Sequence, residues 1–393
     1  MTIETLHHCS RRAALGGLAA LPAAACAPTL VAPAASPKLD AKGSLDSIAR
    51  SGGRRFGTAV AHGIGNENSG SVANTKYAEL VKSECGLVVP ENAMKWQAIR
   101  PSPDRYDFSQ MDTIVRWAKA NDMDVRGHVL LWHRPEWFPD WLNTYDFGTS
   151  PASEAGHILS EHIRLVTERY ADTIVSHDVV NEAIDHGTNR PIETSLSRAM
   201  GSPEAVMDLA FHSARENLPN AQLVYNDYMS WEPAHSSHMT AVLRLLEGFK
   251  KRGTPVDALG IQSHIEIMEV DPVTGVSPYR EREWRKFLDE VTGMGYRLLI
   301  TEFDVKDKAL PADIATRDRL VAEYTRRYFD VMMDYDSMLD DILVWGMVDQ
   351  YNWLQYFDPS KRADGLEVRG TPYSSDYQAK PMREALAQAL KRT

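Results

Sequence analysis

The residues Thr173-Ile-Val-Ser-His-Asp-Val-Val-Asn-Glu-Ala183 form a short β-branched run that ends on two polar side chains. Its brevity and its Ile/Val content read as a buried strand rather than a helix. Asn181 and Glu182 therefore stand where the strand stops. In a barrel of parallel strands the carboxyl ends open onto the mouth where chemistry is done. Taken alone, Asp178 to Ala183 reads better as a helix start, with Asn as cap and Glu against the positive helix terminus. A second passage shifts that balance. Tyr296-Arg-Leu-Leu-Ile-Thr-Glu-Phe-Asp304 is again an apolar strand ending in a carboxylate, Glu302. Two strand-end carboxylates are the minimal machinery of glycoside hydrolysis.

The 393 residues suit one large α/β barrel or two ordinary domains. A formal net charge of −11, without long Lys/Arg runs, argues against binding a phosphate backbone, so no nucleic-acid partner is expected. Nine Trp and fifteen Tyr supply flat rings that fill a core or stack on sugar faces. Residues 1–44 read as an export signal and linker. Ser10-Arg-Arg-Ala-Ala-Leu15 followed by the small apolar stretch Gly16 to Ala27 resembles a twin-arginine signal, which implies a periplasmic or secreted protein. That stretch is too short and alanine-rich for a permanent membrane span. Ala23-Ala-Ala-Cys26 is a poor lipid-modification box, because Ala stands where a bulky aliphatic residue is usual, so anchoring at Cys26 is the less favoured outcome. Cys85 is then the one cysteine left for the mature domain, which excludes an intrachain disulfide.

From residue 45 onward the chain alternates strand and helix patterns. Strands are expected at Arg55–Val60, Leu87–Glu91, Asp124–His133, Thr173–Val180, Gln222–Asp227, Ala258–His264, Tyr296–Glu302 and Asp341–Met347. Helices are expected near 75–83, 107–118, 155–169, 207–216, 236–251, 282–294, 312–333 and 378–390. In the second of these, Asp107 or Ser109 is the expected cap. Eight strand-then-helix units in series imply a parallel sheet with right-handed crossovers, and eight strands close into a TIM (β/α)8 barrel. The reading is therefore a single catalytic domain over residues 45–393.

The strand ends carry Glu91-Asn-Ala-Met-Lys-Trp96, Gly127-His-Val-Leu-Leu-Trp-His133, Asp178-Val-Val-Asn-Glu-Ala183, Tyr225-Asn-Asp-Tyr228, Gly260-Ile-Gln-Ser-His264, Ile300-Thr-Glu-Phe-Asp304 and a Trp345…Trp353 pair. In this order they resemble the strand-end motifs of family 10 glycoside hydrolases, the endo-β-1,4-xylanases. The resemblance covers about residues 56–353. It implies that Glu182 is the general acid/base and Glu302 the nucleophile of a retaining double displacement. It implies that His264 and Asp304 support the nucleophile, and that Asn181 bonds the sugar 2-hydroxyl at the cleavage point. Glu91, Asn92, Lys95, His128 and Trp132 then map to the glycone side, with Tyr228, Gln262, Trp345 and Trp353 around the scissile bond. Xylan and xylo-oligosaccharides are the implied substrates, acted on by a monomer with no metal and no other cofactor.

Two departures stand out. The family usually has a Gln shortly after the Trp-His pair, where this chain has Arg134-Pro135-Glu136, and His177 replaces a common Trp. His128 and His133 also read as core histidines, and Trp345 and Trp353 as barrel packing. Three rival functions fit the same pattern in part: a sugar-binding barrel without catalysis, a metal hydrolase using His128, His133 and His264, and a cellulase or mannanase on the same barrel. Retention of both carboxylates disfavours the first. The Trp and Gln neighbours of those histidines disfavour the second.

Overall fold

The computed structural model describes residues 43–65, 68–269, 273 and 278–392. The expected export signal, the Cys26 site and the linker up to residue 42 lie outside the described residues. Among the described residues no helix is long and apolar enough to cross a membrane.

Among the described residues nine strands form: β1 Phe56–Val60, β2 Leu87–Pro90, β3 Asp124–Trp132, β4 Ile174–Asn181, β5 Gln222–Asp227, β6 Ala258–Ile261, β7 His264–Glu266, β8 Arg297–Lys306 and β9 Leu339–Val344. All pairings are parallel, and the ring β1-β2-β3-β4-β5-β6-β8-β9 closes because β9 pairs with β1 and β6 with β8. β7 adds three rungs to β8, with His264 opposite Asp304. The expected eight-stranded barrel is therefore present, with one correction. The stretch 258–264 is not one strand, because Ser263 takes a positive φ of 60° and breaks the ladder between Ile261 and His264. A left-handed backbone costs a non-glycine residue energy and marks a turn rather than a strand. Here it frees His264 from the β6 rung and returns it beside β8.

The helices fall where the 3.6-residue spacing puts them, with ends shifted by a few residues. In Glu281–Gly293, Trp284, Phe287, Leu288 and Val291 are the buried set, an i, i+3, i+4, i+7 stripe facing the sheet. In Ser109–Ala120, Asp107 accepts from the Ser109 N–H at 3.0 Å, so it satisfies an orphan donor at the helix start. Among the described residues four further short helices appear that the apolar spacing does not show, Leu45–Ser51, Trp96–Ile99, Asp140–Asn143 and Ser195–Met200. The first is held by Glu84, whose carboxylate accepts the Leu45 N–H at 2.8 Å and pairs with Arg383 of the last helix, Pro381–Leu390.

Two apolar layers follow from the strand pleat. Val88, Leu223, Leu298 and Ile342 face outward and join the large cluster beneath the helices, with Val81, Phe249 and Leu386. Ala59, Leu87, Val89, Leu343 and Trp345 pack inside the barrel, as do Val224, Ala258 and Leu299. A strict period of two would keep that alternation to the rim. Instead an extra residue is inserted between His128 and Leu131 in β3, between Asp178 and Val180 in β4, and between Ile300 and Phe303 in β8. Such bulges cluster at barrel rims and re-aim the side chains that follow. In β4, Val179 and Val180 both join the outer core, and Asn181 turns back toward the inward-facing Asn226. In β8, Phe303 packs outward, while Glu302 and Asp304 join the groups at the mouth.

Candidate active site

Glu182 follows the last residue of β4 with φ of 51°, and its N–H donates to the Asn226 carbonyl at 2.9 Å. Its carboxylate accepts from Gln262 Nε2 at 2.7 Å and Trp132 Nε1 at 3.1 Å, and Arg134 Nε lies 3.2 Å from Oε2. Burial pushes its pKa up. The Gln262 hydrogen bond and the Arg134 charge oppose this, Asp227 and Glu302 add to it, and the net shift is upward.

Glu302 is held differently. Asn226 Nδ2 donates to Oε1 at 2.7 Å, and His264 Nε2 lies 3.2 Å from Oε2. Burial pushes this carboxyl up as well, but the His264 hydrogen bond and the His128 and His264 rings outweigh it, so the net shift is downward. His264 is buried, which alone would lower its pKa. Asp304, 2.8 Å from Nδ1, and Glu302 raise it to about 9. At neutral pH it is therefore an imidazolium that donates to both carboxylates. Asp304 is fixed in turn by Trp353 Nε1 at 2.7 Å and Asn352 Nδ2 at 3.3 Å.

The two glutamates are joined by amides. Gln262 Nε2 reaches both Glu182 and, at 3.3 Å, Asn181 Oδ1. That oxygen accepts from Asn226 Nδ2 at 2.9 Å, and Asn226 in turn holds Glu302. Thr301 Oγ1 donates to Asn226 Oδ1 at 2.7 Å and fixes which way this amide faces. Gly260 is required beside it, since a Cβ there would collide with Asn226 Oδ1. Asn226 lies inside the Tyr225–Tyr228 motif, yet it was not singled out as a site residue. Its strand-end position was the available signal.

Around these carboxylates the structure gathers the other expected residues. Glu91 is raised by burial, with Lys95 and His128 opposing and Glu302 adding to the shift. Lys95 is lowered by burial, with Glu91, Glu302 and Glu182 pulling the other way. Its Nζ bonds the exposed Asn92 at 2.6 Å and sits 4.7 Å over the Trp132 ring. Trp137, which was not foreseen, stacks on Trp132 at 4.3 Å and is 41% exposed, so it widens the ring platform beside Lys95. Trp345 contacts His128 and His264 edge-on, and Trp353 lies against His264 at 4.8 Å. Tyr228 stacks on His238 and takes a hydrogen bond from Arg134 Nη2 at 3.1 Å.

Beneath the mouth, Asp178 receives both arms of Arg126 and accepts from His128 Nδ1 at 2.9 Å. His177 points the other way. Its Nδ1 bonds the Asp178 carbonyl at 3.0 Å, and a Cβ on Gly127 would come within 2.5 Å of the ring. It is a packing residue behind the strand. The histidines of the metal-hydrolase rival do not converge: His133 bonds the Ile192 carbonyl, His128 faces Asp178, and His264 faces Asp304 and Glu302.

This arrangement can be set beside known proteins. The sequence profile of glycosyl hydrolase family 10 matches residues 44–389. Endo-1,4-beta-xylanase A of Caldicellulosiruptor saccharolyticus is 30% identical over 312 residues, 77% of this chain and 87% of its own length. Endo-1,4-beta-xylanase B of Thermotoga neapolitana is 32% identical over 283 residues, 72% of this chain and 75% of its own. Among solved structures, xylanase 10B of Thermotoga petrophila in complex with xylobiose superposes with a TM-score of 0.76 at 28% identity, covering 90% of this chain and 99% of that one. Native xylanase 10B of Thermotoga maritima gives 0.75 at 28% identity, over 88% and 98%. With the profile running from the first described helix to the last, the chain belongs to glycosyl hydrolase family 10.

Proposed function

We propose that this protein is a retaining endo-β-1,4-xylanase in which Glu302 is the nucleophile and Glu182 the general acid/base. The observation that carries the assignment is the different setting of two carboxyls in one mouth: Glu302, buried and held by Asn226 and His264, is biased toward the ionised form, and the half-buried Glu182, held by Gln262 and Trp132, toward the protonated form. In the first step the Glu302 carboxylate attacks the anomeric carbon while the Glu182 O–H gives its proton to the departing glycosidic oxygen. The C–O bond breaks and an α-linked glycosyl ester remains. Esterification removes the charge on Glu302, one of the influences that raise Glu182, so Glu182 more readily stays ionised. It then takes a proton from water, whose oxygen attacks the same carbon, frees Glu302 and restores the β configuration.

The xylanase names of the relatives and the xylobiose complex of one structural neighbour support xylan as substrate. Initial rates on xylan, carboxymethylcellulose and mannan test this, with xylan expected to be turned over fastest. Short xylo-oligosaccharides should precede xylose, and early release of xylose alone would exclude the endo mode. A cellulose or mannan preference would replace the substrate but not the mechanism. The Arg11-Arg12 pair and the apolar stretch after it support export toward this polymer, to be tested by fractionating cells that express the full chain.

His264→Ala and Asn181→Ala are expected to act on the chemical step. His264 supports the charge of Glu302, and Asn181 is held by Asn226 and Gln262 where a sugar hydroxyl would meet it. kcat should drop by about 10²-fold or more with KM little changed. A large rise in KM at constant kcat would make them simple binding residues.

A further inference from the structure

Arg134 stands at the first departure from the family pattern, and the structure puts it in contact with the carboxylate that does the proton transfer. Its Nε lies 3.2 Å from Glu182 Oε2. Its Nη2 donates to Tyr228 OH at 3.1 Å and to the Ile184 carbonyl at 3.3 Å. The guanidinium is thus tied on its far side to β5's exit and to the loop after Glu182, while its near side faces the acid/base. A planar fork held at two points loses little freedom in keeping its charge there. Burial disfavours the cation, but Glu182, Tyr228 and Asp227 more than compensate, so it stays charged throughout the cycle.

We propose that Arg134 is a positioning residue acting through Glu182, an anchored positive charge that sets the upper pH limit of the acid half-reaction and favours the base form in the second. The inference rests on Glu182 being the acid/base. The other groups that face Glu182 are Lys95 after β2, Trp132 on β3, Asp227 and Tyr228 at the end of β5, Gln262 after β6 and Glu302 on β8. Asp227 and Glu302 favour its protonated form, and Gln262 opposes them as a neutral donor. Lys95 shares its charge with Glu91 and Glu302. Arg134 is the cation in direct contact.

The sign follows. A neighbouring cation makes Glu182 lose its proton at lower pH, so removing the cation moves the basic limb of kcat/KM upward. Arg134→Met should shift that limb up by about 1 pH unit or more when xylotetraose is the substrate. Arg134→Lys, which keeps a charge on a shorter reach, should return most of the shift. With an aryl xylobioside whose phenol leaves without protonation, the limb should be absent or much weaker in wild type and variants alike. Arg134→Gln, neutral but still able to donate to Tyr228, carries the same test should the methionine variant not fold. A basic limb that stays in place while kcat/KM falls at every pH would reduce Arg134 to a loop anchor and overturn the proposal. So would an equal shift in the methionine and lysine variants. Wild-type turnover of xylotetraose by Glu182→Gln would instead overturn the assignment of the acid itself, a different failure.

Discussion

Glu302→Ala should lose hydrolysis of xylan by at least about 10⁴-fold, because Glu302 is the side chain assigned to form the covalent intermediate. Glu182→Ala should be almost as poor on xylan, but the two variants separate on activated substrates. Glu182→Ala still has its nucleophile and its His264 support, so an aryl xylobioside that needs no proton should form the glycosyl ester rapidly. Breakdown should then be slow, since no base activates water. Azide needs no base; it should accelerate turnover and give the β-glycosyl azide by attack on the α-linked ester. Glu302→Ala forms no ester, and azide entering the vacated space beside Asn226 and His264 should give the α-azide in one inversion. An α-azide from the first variant or a β-azide from the second would reverse the two assignments.

The second large effect is on stability and comes from the floor of the site. Asp178 is fully buried and balances the fully buried Arg126 while holding His128. Asp178→Ala leaves the guanidinium without its counter-charge, and breaking one side of a buried pair costs about 3–5 kcal/mol. The urea midpoint should fall accordingly. Arg126→Met combined with Asp178→Leu should recover much of that loss, because replacing both charges by apolar groups removes the desolvation cost together with the attraction. Activity should not recover with it, since His128 has lost the acceptor that orients its ring beside Trp345. The pH dependence has a definite sign. Burial pushes Asp178 up, but the Arg126 charge and the His128 and Arg126 hydrogen bonds bring it below its ordinary value. Its contribution is therefore present above about pH 4 and is lost as pH falls through the lower folded value. The single variant should lack this acid-side loss. A midpoint change equivalent to less than about 1 kcal/mol would show that Arg126 finds another partner.

The chain alone was enough for the number and order of the barrel strands, because strands buried on both faces must be short apolar runs and helices must show an apolar stripe every 3.6 residues. Glu182 and Glu302 were legible as a pair, since Asp178 to Ala183 alone reads as a helix start and a second apolar run closing on a carboxylate makes the strand-end reading the better one. Helix ends moved by a few residues, and Leu45–Ser51, Trp96–Ile99, Asp140–Asn143 and Ser195–Met200 escaped notice because they are too short for an apolar stripe to repeat; Glu84 holds the first from a distance, and a local capping box at Thr194 and Ser197 starts the last. What the fold decided lies at the strand ends. The inserted residues in β3, β4 and β8 break the period of two, so no alternation rule could say which rim side chains face the mouth. The turn at Ser263 brings His264 onto β8, where it meets both Asp304 and Glu302. Asn226 as the bridge between Asn181 and Glu302, Arg134 as the partner of Glu182, and Arg126 as the counter-charge of Asp178 join residues distant in sequence. Each depends on distances of a few ångströms across the barrel, which chain closure determines and local sequence does not.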